Sequence, residues 1–450
     1  MEPLQQARDR IDKIDAELAR LFTDRMEAAE EIAAWKQAKG LPIRDPKREA
    51  EVLARNLERI ENSVLRPHYK AVLESMMACS RAYQAELLGR DPAALLSVHT
   101  AAGSYPIYLR RGTLHDAGKL LDLNRSVFMV TDDGIPEEYS RNLARQCKHV
   151  ICCTIPQGET SKSPAQLHTL LQQMLDAGLT RSDCVLALGG GVVGDLAGLA
   201  AALYMRGIDF YNMPTTLLAM VDSSIGGKTA VDLCGVKNAI GAFWQPKAVL
   251  IDPVVLESLP ERQMSNGLAE AVKMVLTHDS ALFARFENPN GYGSVEDLIA
   301  ACLRIKASVV EADEREAGLR QVLNFGHTLG HGLEAASNGK LLHGECVALG
   351  MLPMCATALR PRLAAVLERL GLPTTIQPGM IDPERVLDVA AHDKKAQANG
   401  EIRLVRVQEP GQYQFCTASP AALRNALNSL LAPAAPNRSI QTENSGRRNP

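Results

Sequence analysis

The sequence predicts a multidomain fold in which an all-helical domain precedes an α/β domain and a second, mainly helical domain. At 450 residues the chain is longer than one hydrophobic core usually organises. Apolar residues recur at helical spacing near the start, short apolar runs then alternate with helical segments, and helices dominate after about residue 255. We therefore expect a helical domain at 1–90, a linker at 91–103, an α/β half at 104–255, a helical half at 256–431 and a disordered tail at 432–450.

Composition limits the classes of partner. A net charge of −3 gives no reason to expect nucleic acid or an acidic membrane. The first residues lack the apolar stretch of a signal peptide, and no run of about 20 apolar residues follows. Ten cysteines without CxxC spacings are typical of reduced thiols. The sequence thus predicts a cytoplasmic protein that acts on small molecules.

The first domain begins with one long amphipathic helix. Its apolar positions repeat at helical spacing as far as Lys39, and no glycine occurs before Gly40. These positions are Leu4, Ile11, Ile14, Leu18, Leu21 and Phe22. Such a length indicates pairing with another helix. Further helices are expected from about Pro46 and from Pro67 to about Leu88.

Three cations of the long helix form a pattern. Arg25 and Lys36 are eleven residues apart, about three turns, and so share one face. Arg8 lies 17 residues before Arg25 and is rotated from it by roughly 100°, so a partner helix would have to bring it to the same pocket. On spacing alone, a solvated helix face is the commoner explanation for such cations.

A glycine-rich turn marks the α/β half. The apolar run CVLAL is followed by GGGVVGDLAG, with glycines at Gly189, Gly190, Gly191 and Gly194. This is the GxGxxG spacing between a strand and a helix, where backbone N–H groups can bind a pyrophosphate. A glycine-rich turn alone is a weak signal for nucleotide binding. Further candidate contacts follow other apolar runs, with Asp132 after one and Glu159 and Lys162 after another.

Charged residues recur in the glycine-rich stretch that follows. Asp222, Lys228, Lys237 and Asn238 lie in loop-like sequence, where cations seldom serve packing. Two lysines close to paired glycines indicate a phosphate or carboxylate site.

The segment LRQVLNFGHTLGHGLE indicates a metal site. Its polar positions fall at i, i+4, i+7 and i+11, which predicts one helix with all four on a single face, namely Arg320, Asn324, His327 and His331. The glycines of this segment indicate a close approach to the backbone. His343 in LLHGE and Glu270 in GLAEAVK favour metal further. From spacing alone, His327 and His331 are the preferred zinc ligands.

Residues from about 97 to 430 closely resemble the 3-dehydroquinate synthase family. The resemblance rests on GGGVVGDLAG, MVDSSIGGKT, GLAEAVK, LNFGHTLGH and HGE, which together are very specific. It implies Glu270, His327 and His343 as ligands of Zn²⁺, with Co²⁺ as an alternative metal. It also implies that His331 faces the substrate.

Two sets of binding residues are implied by the same resemblance. Substrate contacts are implied for Asp222, Lys228, Asn238, Lys273, Lys306, Arg320, Asn324 and His331, and for one lysine of AHDKK, taken as Lys394. Contacts to NAD are implied for Asp132, Glu159, Lys162, Gly190, Gly191, Asp195, Thr215, Thr216 and Lys237. The implied reaction converts 3-deoxy-D-arabino-heptulosonate 7-phosphate to 3-dehydroquinate and phosphate, with NAD regenerated in each cycle.

Two positions depart from the family's pattern. The asparagine that commonly follows the strand-end aspartate by two residues is Gly134 here, and the usual Arg-Glu before the metal helix is Arg262-Gln263. We assign both positions to the cofactor side of the site. We therefore expect these departures to affect the affinity for NAD more than the chemical steps.

The first domain resembles the all-helical chorismate mutase family, in which an intertwined dimer builds each site from both chains. The matching positions are Arg8, Arg25, Lys36, Asp45, Arg48, Glu49, Ser80 and Gln84. The resemblance implies conversion of chorismate to prephenate without metal or cofactor, with Arg8 reaching the partner's site. Arginine forks suit the two carboxylates of chorismate. A homodimer or a higher homo-oligomer is therefore implied.

Other functions stay open at this point. A metal-dependent polyol dehydrogenase would have the same nucleotide-binding and metal-binding halves. It would not need four cations around one substrate anion, here Lys228, Lys273, Lys306 and Arg320. Another sugar-phosphate cyclase would share the cofactor and metal residues. The front domain, for its part, could serve as a regulatory module that senses chorismate or prephenate.

Overall fold

The computed structural model describes residues 3–39, 43, 45–88, 94–288, 291–392 and 402–431. The chain forms two compact units, the first made of Met1–Pro214 with Ile225–Val254 and the second of Thr215–Ser224 with Val255–Pro450. The predicted order of a helical region, an α/β region with a parallel sheet and a mainly helical region is confirmed. The tail predicted at 432–450 and the lysine Lys394 lie outside the described residues.

Three helices form the first region, namely α1 (Pro3–Ala38), α2 (Pro46–Glu58) and α3 (Arg66–Leu87). Helix α3 packs against both α1 and α2. Small side chains of α1, Ala29 and Ala33, are buried there, as is Leu73 of α3. Helix α2 begins at a proline, and the Asp45 side chain caps it by accepting the Arg48 N–H at 3.0 Å.

One apolar face of α1 is uncovered among the described residues of its own chain. Its large side chains keep 44–59% of their surface exposed, and they are Leu4, Ile11, Ile14, Leu18, Leu21, Phe22, Ile32 and Trp35. An exposed, contiguous apolar face of this kind is typical of an interaction surface.

A seven-stranded sheet organises the α/β region in the order β1-β2-β9-β6-β5-β3-β4, antiparallel between β1 and β2 and parallel elsewhere. Its strands are β1 (Leu96–Thr100), β2 (Gly103–Leu109), β3 (Ser126–Asp132), β4 (His149–Ile155), β5 (Cys184–Gly189), β6 (Asp209–Pro214) and β9 (Ala248–Ile251). A separate antiparallel hairpin is formed by β7 (Lys228–Leu233) and β8 (Val236–Phe243). The sheet's helices are α4 (Ala117–Leu120), α5 (Glu137–Ala144), α6 (Pro164–Asp176) and α7 (Gly191–Leu203).

The core of this region lies between the sheet and helices α6 and α7. Strand β5 is buried along its whole length, as its continuous apolar run requires in a parallel sheet covered on both faces. The predicted linker at 91–103 differs from the structure in its second half, because β1 forms there and pairs with β2.

The second unit is mainly helical. Its helices are α8 (Glu261–His278), α9 (Ser280–Glu287), α10 (Val295–Ala312), α11 (His327–Ala336), α12 (His343–Met354), α13 (Arg360–Arg369), α14 (Pro383–His392) and α15 (Pro420–Asn428). A two-stranded antiparallel sheet joins β10 (Ile402–Glu409) to β11 (Gln412–Ala418). No described helix of either unit is long and apolar enough to cross a membrane.

The prediction of one helix from Arg320 to His331 is wrong. Residues Leu319–Asn324 form a short 3₁₀ helix, the chain turns at Gly326 with a φ of +80°, and α11 begins only at His327. A side chain at Gly326 would meet Val347 O at 2.8 Å, and one at Gly350 would lie 2.0 Å from Gly326 O. Of the glycines that argued for a close approach, Gly326 and Gly330 thus admit the backbone of α12, and Gly332 admits that of α14.

Candidate metal, nucleotide and chorismate sites

Three side chains from three helices meet in the second unit. Glu270 lies on α8, and His327 and His343 are the first residues of α11 and α12. One ligand atom from each lies within 4.8 Å of the others. Nε2 of His343 is 3.3 Å from Glu270 Oε1, and Nε2 of His327 is 3.6 Å from the same oxygen.

Close helix packing brings α12 to α8 at this point. The Gly344 N–H donates to the Asn266 side-chain oxygen at 2.6 Å, and a Cβ at Gly344 would lie 2.0 Å from Asn266 O. Only glycine admits this approach, so the HGE sequence sets His343 beside Glu270 through its second residue.

The outer nitrogens of both histidines already have acceptors. Nδ1 of His327 is 3.2 Å from Phe325 O, and Nδ1 of His343 is 3.1 Å from Glu334 Oε2. Each ring is thereby oriented with Nε2 toward Glu270. Both Glu270 oxygens are buried, and neither accepts a hydrogen bond of good geometry from the described residues. A carboxylate and two imidazoles in this arrangement fit a divalent metal such as zinc.

The pKa values of His327 and His343 are shifted in opposite directions. Burial, with the nearby Lys273 ammonium, holds the pKa of His327 well below its usual range. Burial also opposes a charge on His343, but the Glu270 and Glu334 carboxylates on either side of its ring raise its pKa to about 10. His331 lies near both, with ring centroids 5.2 Å from His327 and 6.0 Å from His343. The structure therefore groups His327 with Glu270 and His343, and not with His331 as spacing alone suggested.

Buried cations surround Asp222 next to this group. Asp222 lies in a π-helical turn, Ala219–Ser223, and Lys273 and Lys306 both point at its carboxylate. Lys273 also pairs with Glu270. Although burial opposes it, the two ammonium groups hold the pKa of Asp222 well below its usual range. Burial, with Arg320 adding to it, lowers the pKa of Lys306 to about 8 even though Asp222 opposes the shift.

Arg320 and Asn324 lie on the 3₁₀ helix that precedes α11. Arg320 is 2% exposed and donates to Glu314 O at 2.6 Å, and Asn324 donates to Glu316 at 2.7 Å. The Asp313 carboxylate accepts the Arg320 N–H at 3.0 Å and so fixes the loop that carries it. These two residues and the lysine pair share one unit with the proposed metal ligands.

The predicted nucleotide residues lie at the carboxyl ends of neighbouring strands in the first unit. Asp132 ends β3, and Gly190 and Gly191 join β5 to α7. The chain reverses its direction across the sheet between β3 and β5, which is where open α/β sheets bind ligands. Gly189 is needed for the tight turn, because a Cβ there would lie 2.5 Å from Val193. This arrangement offers the N-terminus of α7 to an anion.

A buried lysine links several residues of this site. The Lys162 ammonium donates to Asp195 and to the side-chain oxygen of Asn238. Lys237 pairs with Glu159 at 3.3 Å. Asn238, which the resemblance assigns to substrate, therefore lies with the predicted cofactor residues.

The remaining predicted substrate and NAD contacts lie at the start of β7 and directly after β6. Lys228 begins β7 and is exposed. Thr215 is buried and, with Thr216, follows β6 directly, where the Thr216 hydroxyl accepts the Ala219 N–H at 3.2 Å.

In the helical region the structure brings part of the predicted chorismate site together. Arg25 of α1 donates to the Ser80 hydroxyl of α3 and to Met76 O at 3.4 Å. Lys36 donates to Ile43 O. Gln84 is buried, and its side-chain oxygen has no hydrogen-bond partner among the described residues.

The other predicted chorismate residues divide between α2 and the start of α1. Asp45 caps α2, Arg48 is exposed beside Glu51 at 3.6 Å, and Glu49 pairs with Arg81 at 2.7 Å. Arg8 is exposed, and 17 residues of unbroken helix separate it from Arg25, or about 25 Å. Within one chain Arg8 cannot join the Arg25 pocket.

Three family models match the chain. They are chorismate mutase type II at residues 7–85, the N-terminal part of 3-dehydroquinate synthase at 152–266 and its C-terminal part at 267–396. The 3-dehydroquinate synthase of Symbiobacterium thermophilum is 44% identical over 351 residues, which cover 72% of this chain and 98% of that protein. The chain belongs to the 3-dehydroquinate synthase family. In front of the synthase part it carries a chorismate mutase type II domain.

Solved structures match the synthase part. The 2-epi-5-epi-valiolone synthase of Streptomyces hygroscopicus, with NAD⁺ and Zn²⁺ bound, is 27% identical with a TM-score of 0.66 and covers 72% of this chain and 96% of its own. A 2-deoxy-scyllo-inosose synthase, complexed with carbaglucose-6-phosphate, NAD⁺ and Co²⁺, is 24% identical with a TM-score of 0.68 and covers 75% and 100%. The second likeness shows a shared fold.

Two residues that orient other side chains of this site carry no signal in the sequence pattern. Glu334 was not singled out, although it follows His327 by seven residues, which is two helical turns and the same face. Arg262 was assigned to the cofactor side. The structure instead pairs it with Glu345 at 2.7 and 2.8 Å, and Glu345 accepts the Leu342 N–H at the start of α12.

Proposed function

We propose that the synthase part converts 3-deoxy-D-arabino-heptulosonate 7-phosphate to 3-dehydroquinate and phosphate, with NAD and Zn²⁺ as cofactors and Co²⁺ as an alternative metal. The observation that carries this proposal is the convergence of Glu270, His327 and His343, the first two of them buried, with Lys273 against Glu270. Further support comes from a similar synthase whose structure holds NAD⁺ and Zn²⁺. When bound, the two cofactors would supply a hydride acceptor and a Lewis acid.

The chain's own residues would mainly bind and orient the anionic substrate. Lys273, Lys306 and Arg320 are buried cations, and buried charge-assisted hydrogen bonds to carboxylate or phosphate are stronger than exposed ones. Asp222 already holds the two ammonium groups in place. Such preorganisation reduces the reorganisation needed when substrate arrives.

For the front domain we propose the rearrangement of chorismate to prephenate. The reaction is pericyclic, so it needs no nucleophile, and donors such as Lys36 and Gln84 would stabilise the charge on the breaking ether oxygen. The buried, unpartnered oxygen of Gln84 and the inward Arg25 support a polar pocket between α1 and α3.

We further propose that the chain works as a homodimer or a higher homo-oligomer in which Arg8 completes the partner's chorismate pocket. The uncovered apolar face of α1 and the length of helix between Arg8 and Arg25 support this arrangement. We place the protein in the cytoplasm, where its ten free thiols would stay reduced.

The decisive experiment assays the full chain, and each half cut near residue 92, with both substrates. The front half should form prephenate, and the rear half should form 3-dehydroquinate from the carboxylate-bearing heptulosonate phosphate. A heptulose 7-phosphate without the carboxylate serves as the competing substrate. Preferred turnover of that sugar would replace the proposed reaction with that of another cyclase, and binding of chorismate without turnover would make the front domain a sensor.

A further inference from the structure

We propose that Glu334 is a positioning residue for the metal site, which it serves by accepting the Nδ1–H of His343 and so presenting Nε2 to the metal. The inference rests on the proposed metal function and adds a residue beyond the ligands themselves. Glu334 lies on α11, whereas the histidine that it orients begins α12.

The contact is close and partly shielded from water. Glu334 Oε2 lies 3.1 Å from Nδ1 of His343, and the two side chains are 14% and 29% exposed. On the other side of the ring, Nε2 lies 3.3 Å from Glu270 Oε1. The imidazole is therefore held between two carboxylates, one among the proposed ligands and one behind it.

The two histidines differ in how this outer contact is made. His327 has a backbone carbonyl, Phe325 O, behind its Nδ1, which no substitution removes. His343 has a side chain there, and a carboxylate is a better acceptor than a carbonyl because it is charged. A carboxylate behind a ligating histidine fixes its tautomer and ring orientation and raises its basicity. Since α11 supplies both His327 and Glu334, this one helix contributes one ligand and orients another.

Other contacts fix the backbone of His343 without bonding to its ring. Arg262 donates to Glu345 and to Lys340 O at 2.8 Å, and Glu345 closes the first turn of α12. These bonds set where the helix begins. Orientation of the imidazole itself then depends on the side chains at its two nitrogens, and Glu334 is the one that holds Nδ1.

The test measures metal binding by the full-length protein after its metal has been removed. Zn²⁺ affinity is determined by competition with a chromophoric chelator, and the Co²⁺ form is examined by visible absorption. Glu334→Ala should weaken Zn²⁺ binding by about 10- to 100-fold and change the Co²⁺ bands. Glu334→Gln should lose less, because its amide oxygen still accepts the N–H. The control is Glu384→Gln, which breaks an exposed ion pair with Arg424 in the same unit and should bind Zn²⁺ like the wild type.

The possible results separate the two proposals. Failure of the wild type to bind Zn²⁺ would overturn the metal site itself. Wild-type affinity and an unchanged Co²⁺ spectrum in Glu334→Ala would overturn only the role of Glu334. If metal-free Glu334→Ala does not unfold cooperatively, Glu334→Leu, which is similar in size to glutamate and cannot accept the N–H, decides in its place, and a wild-type affinity with a wild-type spectrum would then contradict the inference.

Discussion

The proposed metal site and the proposed chorismate site are built in opposite ways. Glu270, His327 and His343 come from three helices of one unit, and their ligand atoms converge within 4.8 Å. The chorismate residues are spread along one 36-residue helix and its neighbours, with Arg8 exposed at one end. A compact unit can complete a site within one chain, whereas the long helix places Arg8 and Arg25 too far apart, which is why the proposed chorismate site includes a second chain.

The largest expected effect concerns the self-contained site. His343→Ala, or chelation of the metal, should lower 3-dehydroquinate formation by at least about a thousandfold, because a Lewis acid stabilises a transition state by several kcal/mol. Prephenate formation by the same protein should be unchanged and acts as the control. Full synthase activity after chelation would show that the metal assignment is wrong.

A smaller but still large effect is expected at the shared site. Arg8→Ala and Arg25→Ala should each lower mutase activity by about 100-fold or more, since each removes a charged donor to the substrate. In a heterodimer of the two variants, one of the two sites keeps both arginines, so about half of the wild-type activity should return. Verified heterodimers that stay inactive would mean that the site is built within one chain.

A third prediction uses pH to probe the buried cations. Because the pKa of Lys306 is about 8, its side chain is charged below that pH and neutral above it. Binding of the anionic heptulosonate phosphate should therefore weaken as pH rises through 8, by up to about tenfold per pH unit. Lys306→Arg keeps its charge and should flatten the KM profile above pH 8. An identical profile in both proteins would exclude Lys306 as the titrating group.

The smallest expected effect is on the stability of the helical region. Asp45→Ala removes the cap of α2 and should lower the free energy of unfolding of this region by about 1 kcal/mol. The synthase rate at 25 °C should not change. Thermal unfolding of the fragment cut near residue 92 measures the loss, and an unchanged Tm would show that the cap is replaced by solvent.

Sequence alone predicted the order of the three regions because their periodicities differ along the chain. The spacing of apolar and polar residues identifies helices and strands but does not locate their ends. The turn at Gly326 and the strand β1 were therefore missed. Spacing also favoured His327 with His331, since residues four apart are neighbours on a helix. The group that the structure forms joins residues 57 and 16 positions apart, and only packing or resemblance to a family can supply such pairs.

Residues that orient other side chains of the site were the hardest to predict from the sequence. Glu334 and Arg262 carry no motif signal of their own, and their partners become apparent only when α8, α11 and α12 are packed together. Resemblance singled out the three residues whose ligand atoms converge, but it did not reveal that Arg262 pairs with Glu345.

The close contacts of α12 with α11 and with α8 also predict how the sequence can vary. At Gly350 a side chain would lie 2.0 Å from Gly326 O, and at Gly344 it would lie 2.0 Å from Asn266 O. Neither glycine touches the proposed metal, yet each sets how closely a ligand-bearing helix approaches its neighbour. In a library of random substitutions selected for synthase activity, these two positions should therefore tolerate change as poorly as His327 and His343 themselves, and far less well than the exposed residues of α14.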